Sequence, residues 1–313
     1  MRLKASAPGS LMLLGEHAVL HGKMALVSAI DKRMTVILTP RTDKRIEITS
    51  TLGHFSTNLA QLKIEKPFQF VLCALHQFRD QLHMGFDITI ESEFSDKIGF
   101  ASSAAVTVAT LKALAQSLAI SLSPLELVSC GRDVVRHIQG VGSGADIAAS
   151  VYGGVVSYRA HPVSVEKINV MLPLHAIYSG YKTETVKVIE YVWEKFAKQS
   201  ELFHSICENI GECSVTGTNF VREKSWVKLG EVMNAQQVQM ERLGVSSPLL
   251  QAMVMDLRKQ SGIVGTKISG SGLGDCVIAL GKLPPDYQCV IENQLLQRIP
   301  VSTTLEGVKC EKI

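Results

Sequence analysis

The sequence predicts an α+β fold in two lobes, on three observations. Strands and helices mix irregularly up to Tyr178, helices dominate from Thr183 to Ser261, and strand returns after Gly262. That order lacks the regular strand–helix alternation of a doubly wound parallel sheet. A length of 313 residues suits two lobes, and the break at Tyr178–Lys182 sets them at residues 1–180 and 181–313.

Each element has a local reason. Met24–Leu38 is rich in apolar and β-branched residues and Ile46–Thr49 alternates, so both read as strands. Pro67–Leu82 spaces Phe70, Val71, Ala74, Leu75 and Phe78 as a helix does. Phe86–Glu91 alternates as a half-buried strand. Ser102–Ala119 is apolar on nearly every face, the pattern of a helix inside the core. Ser123-Pro124-Leu125-Glu126 offers an N-cap, a proline at the first helical position and a reciprocal glutamate. The helix it opens runs to Ile138 and ends at Gly140–Gly144. Strands are expected at Val151–Tyr158 and Ile168–Ser179. Helices are expected at Thr183–Gln199, Glu201–Arg222, Trp226–Leu243 and Ser247–Ser261, with Trp193, Phe196 and Phe203 packing a core. Strand Cys276–Leu280, helix Asp286–Arg298 and a closing strand complete the chain, the last segment packing back across the lobe boundary.

Composition narrows the function. Hydrophobic residues make up 46% and charged residues 19%, so the chain is not disordered. A formal net charge of +3 does not argue for nucleic acid. The 7 cysteines form no CxxC pair, which speaks against a disulfide framework or zinc ribbon and for reduced core residues. No signal peptide or apolar run of membrane-spanning length is present, so a cytoplasmic protein without a membrane partner is expected.

Three segments rich in glycine or small residues carry the chemistry. Lys97 to Ala105 opens the alanine-rich helix. Small residues at such a junction let a phosphate approach backbone N–H groups, and the helix N-terminus favours negative charge. The segment is neither a Walker A loop nor a GxGxxG, and alone it reads equally as a serine-capped helix. Gly140 to Asp146 is a flexible loop ending in an acid, which is either a turn residue or a group that takes a substrate proton. Lys267 to Cys276 places Gly270, Gly272 and Gly274 at alternate positions, exposing backbone for close approach or simply forming a turn.

Preceded by Ala7-Pro8-Gly9 and by Gly15-Glu16-His17-Ala18-Val19-Leu20-His21-Gly22, these three segments resemble the ordered signature of the GHMP kinases, within the mevalonate kinase and phosphomevalonate kinase branch. The segment Gly15–Gly22 is similar to mevalonate kinases; the other three are closer to phosphomevalonate kinases. The resemblance implies a two-lobed fold with the active site in the cleft. ATP phosphates would lie on Gly99, Phe100, Ala101, Ser102, Ser103 and Ala104. Asp146 would be the acid facing the acceptor hydroxyl, and Glu16, His17, Gly270, Ser271 and Gly272 would bind substrate. Mg²⁺ would accompany ATP. The implied reaction carries the γ-phosphoryl group to the 5-hydroxyl of mevalonate. Transfer to phosphomevalonate, or a catalytically inactive nucleotide-binding or regulatory homologue, are the alternatives. A homodimer is the default assembly.

Three positions depart from the family pattern. Ser10 stands where a lysine is usual, and Lys97 is the expected substitute. Val135 stands where mevalonate kinases place a Mg²⁺-binding glutamate, and neighbouring Asp133 points elsewhere. The metal would then rest on phosphates, water and the hydroxyls of Ser102 and Ser103. Ala101 replaces a glycine, which is tolerable if φ there is negative. His17 and His21, four apart, lack the HExxH order of a zinc site.

Overall fold

The computed structural model describes residues 2–313. The chain opens with β1 (Leu3–Leu14) and β2 (Ala25–Pro40), followed by β3 (Arg45–Ser50), β4 (Gly53–Asn58), α1 (Gln69–Gln77) and β5 (Phe86–Ser92). Helices α2 (Ser102–Ser117), α3 (Pro124–Gln139) and α4 (Ala145–Tyr152) come next, then β6 (Val155–Ala160), β7 (Val163–Ile168) and β8 (Leu174–Tyr178). Four helices follow: α5 (Thr185–Phe196), α6 (Ser200–Arg222), α7 (Trp226–Leu243) and α8 (Pro248–Arg258). Strands β9 (Ile263–Ser269), β10 (Cys276–Gly281), β11 (Cys289–Ile291), β12 (Gln294–Ile299) and β13 (Lys309–Lys312) complete it.

The strands form two sheets. The eight-stranded sheet runs β13-β1-β2-β5-β3-β4, with β6 pairing β2 and β7. The five-stranded sheet runs β11-β12-β8-β10-β9. Helices α1 to α4 cover the first sheet, where Val36, Leu38, Leu72, Val108 and Leu111 meet in one core. The second sheet packs with α5 to α8 around Val192, Ile206, Met240 and Leu257. A third core, containing Leu14, Leu26, Phe100, Val221 and Ile278, joins the two sheets. Among the described residues no helix is long and apolar enough to cross a membrane, and all seven cysteines are free.

Local chemistry explains the elements that frame the site. In α3 the reciprocal cap forms: Ser123 Oγ accepts from Glu126 N at 3.2 Å and Glu126 Oε2 accepts from Ser123 N at 2.7 Å. Gly140 ends the helix in the left-handed conformation, φ 71°. Helix α2 is buried almost all round, and its Thr107 and Thr110 hydroxyls donate to the carbonyls one turn back, each at 2.7 Å. Their polar groups thus cost nothing in the core.

Several expectations are corrected. Asp286–Arg298 is not a helix but the hairpin β11–β12. Glu292 and Asn293 both have positive φ, 50° and 65°, and form the two-residue turn that suits a tight hairpin. Helix α4 occupies residues expected to be loop and strand start; β6 begins only after Gly153 and Gly154, both at positive φ. The strand expected over Ile168–Ser179 is shortened to β8, which begins after Pro173, while Val163–Ile168 ahead of it forms a separate strand, β7. Strand β1 escaped notice because Pro8 and Gly9 interrupt its pattern; the register shifts there, between Pro8 and Ser10. Trp193, expected in a core, is 49% exposed.

Candidate active site

The bulge in β1 is the starting point. Gly9 lies so close to the loop before α2 that a Cβ on it would stand 2.7 Å from the Phe100 carbonyl oxygen. The next residue, Ser10, donates its N–H to that same carbonyl at 3.2 Å. Its hydroxyl donates to Asp146 Oδ1 at 2.8 Å. Ser10 therefore ties the loop Gly99–Ala104 to the acid on α4. Asp146 sits in the first turn of that helix after Gly144, whose φ is 90°. Burial pushes the Asp146 carboxyl above the usual range; the Ser10 hydrogen bond pulls it down and the Glu16 charge pushes it up again.

The loop Gly99–Ala104 takes left-handed backbone at two positions. Gly99 has φ 80°, which a glycine adopts freely. Ala101 has φ 53° and ψ 45° at the N-cap of α2, so the condition of a negative φ, under which alanine would be tolerated there, is not met. The N-cap residue is an alanine, so no side chain caps that helix end, and Ser102 and Ser103 follow as its first two residues. The Phe100 side chain is only 1% exposed and packs against Phe94, so its ring belongs to the core and its backbone to the loop. Lys97, the expected substitute cation, is exposed and makes no ion pair among the described residues.

The segment after β1 meets the third glycine-rich loop. His17 Nε2–H donates to the Ser271 carbonyl at 2.8 Å. Burial depresses the His17 pKa, which keeps the ring neutral. Glu16 lies 1% exposed, and the buried ammonium of Lys267 and the amide of Gln236 both donate to its carboxylate. Glu16, expected at the substrate, is thus sealed within a buried ion pair. Gly270 and Gly272 have φ 97° and 91°. Gly272 packs on the Val245 carbonyl, 2.5 Å from where its Cβ would be, and only Gly270 leaves its backbone open.

Two groups went unnoticed in the sequence. Lys267, the partner of Glu16, lies within β9, two residues before that strand ends at Ser269. Asp275 ends that loop, 5% exposed, with burial raising its carboxyl to about 6 against the pull of Lys182. The signal for Asp275 was an acid closing a glycine-rich loop; nothing local marked Lys267. Val135 packs in the first core, and Asp133 faces solvent beside Arg132 at 3.9 Å, so neither offers a metal ligand. Among the described residues no three His, Cys, Asp or Glu side chains cluster as a metal cage.

Comparison with known proteins agrees with this geometry. Residues 69–154 match the model of the GHMP kinases N terminal domain, and residues 219–287 that of the GHMP kinases C terminal. A mevalonate kinase of Pyrococcus abyssi is 31% identical over 301 residues, covering 88% of this chain and 88% of its own. That of Thermococcus sibiricus is 29% identical across 100% of this chain and 99% of its own. The solved mevalonate kinase of L. major in complex with R-mevalonate has the same fold. Its TM-score is 0.77 at 22% identity, over 97% of this chain and 96% of that one. The chain belongs to the GHMP kinase family of small-molecule kinases.

Proposed function

We propose that this kinase transfers the γ-phosphoryl group of ATP to the 5-hydroxyl of mevalonate. The observation that carries it is the double engagement of Ser10, whose N–H holds the Phe100 carbonyl and whose O–H holds Asp146. It brings the proposed phosphate loop and the proposed base together. The mevalonate kinases that match the chain along its whole length support the choice of acceptor.

In this reading the lobes divide near residue 180, with β8 joining the sheet of the second lobe and β13 returning to that of the first, and the enzyme is cytoplasmic. ATP phosphates lie on the N-terminal end of α2, where the amides of Gly99–Ala104 and the helix dipole stabilise negative charge. Asp146 Oδ1 is occupied by Ser10, so Oδ2 accepts the acceptor proton. The acceptor oxygen forms its bond to the γ-phosphorus, the bond to the bridging oxygen breaks, and ADP leaves. His17 fixes the third loop through Ser271, whose open backbone at Gly270 lines the acceptor side. Glu16 and Lys267 act as the buried brace beneath them.

Mg²⁺ fits this site as a nucleotide-held ion. It ordinarily keeps several waters and takes few protein ligands, and Ser102 and Ser103 place two hydroxyl-bearing residues in the first turn of α2. When bound, it neutralises charge on the phosphates.

The test is ADP release from Mg·ATP by the protein and by Asp146→Ala, with mevalonate, 5-phosphomevalonate, galactose, homoserine or no acceptor. Turnover with mevalonate, lost in the variant, is expected. Turnover with phosphomevalonate alone moves the assignment to phosphomevalonate kinase. ATP binding without turnover on any acceptor leaves a nucleotide-binding homologue.

A further inference from the structure

Asp275 is held in a place that ordinary packing does not account for. Its carboxyl is 5% exposed, and Oδ1 has no hydrogen-bond partner among the described residues. The backbone there is left-handed, φ 64°, a conformation costly to most side chains and adopted by aspartate only occasionally. Both features are destabilising, yet the residue is pinned: its N–H donates to Tyr181 O at 3.0 Å and its carbonyl accepts from Ser179 N at 2.9 Å. The adjoining Cys276 thiol donates to the Ile98 carbonyl at 3.0 Å, which fastens this end of the third loop to the loop before α2.

The pinning aims the carboxyl at the phosphate loop. A Cβ on Gly99 would stand 2.7 Å from Asp275 Cβ and Cγ and 3.0 Å from Oδ1; one on Gly270 would stand 3.7 Å from Oδ2. The carboxyl therefore lies between the two glycine backbones. Lys182, the cation that attracts it, spends its ammonium on Asp96 O at 2.8 Å. Of the other acids near the loop, Glu16 is buried and paired with Lys267 and Gln236, and half-buried Asp146 holds Ser10 with Oδ1 and keeps Oδ2 for the acceptor proton. A carboxylate beside a triphosphate repels it unless a cation stands between them. The acid usual for that purpose is replaced by Val135, which is in the core.

We propose that Asp275 is the carboxylate that engages the Mg²⁺ of the bound nucleotide, directly or through one of the ion's waters, in place of the acid missing at Val135. This rests on the reading of Gly99–Ala104 as the phosphate loop. It makes the third glycine-rich segment a metal-handling element as well as an acceptor wall. The absence of a Cβ at Gly99 and Gly270 leaves room for the carboxyl between the loops.

The test is calorimetric binding of a non-hydrolysable ATP analogue to the wild type and to Asp275→Asn, once with Mg²⁺ and once in excess chelator. The expected result is a loss of about 10–100-fold in affinity for the Mg²⁺ complex, the scale typical of a removed metal-supporting group. Affinity for the metal-free analogue stays the same or rises, because a negative charge has gone. Equal changes with and without metal overturn the proposal and make Asp275 a structural or proton-donating residue. Unchanged affinity for the Mg²⁺ complex overturns it too. If the wild type binds the analogue under neither condition, the phosphate-loop reading fails first and takes this proposal with it. Should the asparagine variant not fold, Asp275→Ser provides the same comparison.

Discussion

The Ser10 hydroxyl donates to Asp146 Oδ1 at 2.8 Å, across 136 residues of sequence. A neutral donor thus occupies the position where a cation is usual, and the acid is steadied by a hydrogen bond rather than by a charge. The hydrogen bond favours the ionised form of Asp146, against burial, which favours the protonated one. As a base Asp146 works only when ionised, so activity falls as pH drops through its pKa. Ser10→Ala removes the stabilising donor and raises that pKa. The acid limb of the kcat/KM profile therefore moves to higher pH, with kcat down about 5-fold at neutral pH for a loss of ~1 kcal/mol. Asp146→Asn lowers kcat by about 10²–10⁴-fold. Steady-state kinetics across pH check both.

Ala101→Gly is expected to stabilise the protein. Alanine at φ 53° carries a steric penalty of about 1–2 kcal/mol that glycine lacks, offset in part by glycine's freedom in the unfolded chain. A rise of a few degrees in Tm, with nucleotide affinity unchanged or improved, is the expected result of thermal melts and binding titrations.

Lys267→Met leaves the Glu16 carboxylate buried without its cation. A loss of about 3–5 kcal/mol is expected in denaturant unfolding. Pairing it with Glu16→Gln removes the stranded charge and recovers most of that loss, since replacing both members of a buried pair is far milder than removing one.

Gly99→Ala is expected to weaken nucleotide binding by at least about 10-fold. Its φ of 80° disfavours alanine and the new methyl meets Asp275 at 2.7 Å. Asp275→Ala does not relieve the contact, because Asp275 Cβ is itself one of the atoms at that distance. Titration of the single and double variants checks this.

Legibility in the sequence followed distance along the chain. The cap of α3, the buried run of α2 and the glycines of three loops are local patterns, and each lies where the spacing predicts. The Asp146 loop was legible for the same reason, although α4 itself was hidden by the continuity of Ala145–Tyr152 with the strand beyond. The brace of Glu16 and Lys267 spans 251 residues, so nothing near either residue betrays the other. The left-handed backbone at Ala101 was not legible, because alanine is a residue that rarely adopts it. At β11–β12 the apolar spacing suited a helix, and the Glu292-Asn293 turn overrode it.

Strand β13 lies beside β1, with Leu3 opposite Lys312 and Ser6 opposite Lys309. During synthesis the first strand leaves the ribosome long before its neighbour exists, by roughly 15–60 s at about 5–20 residues per second. Throughout that interval β1 offers an unpaired edge to whatever strand it meets. The first sheet gains its strand beyond β1 only when residues 309–312 emerge, so the nascent chain rather than the finished enzyme is the form most exposed to mispairing. A ribosome-stalled intermediate lacking residues 309–312 should be sensitive to proteolysis at β1 in a way the released protein is not.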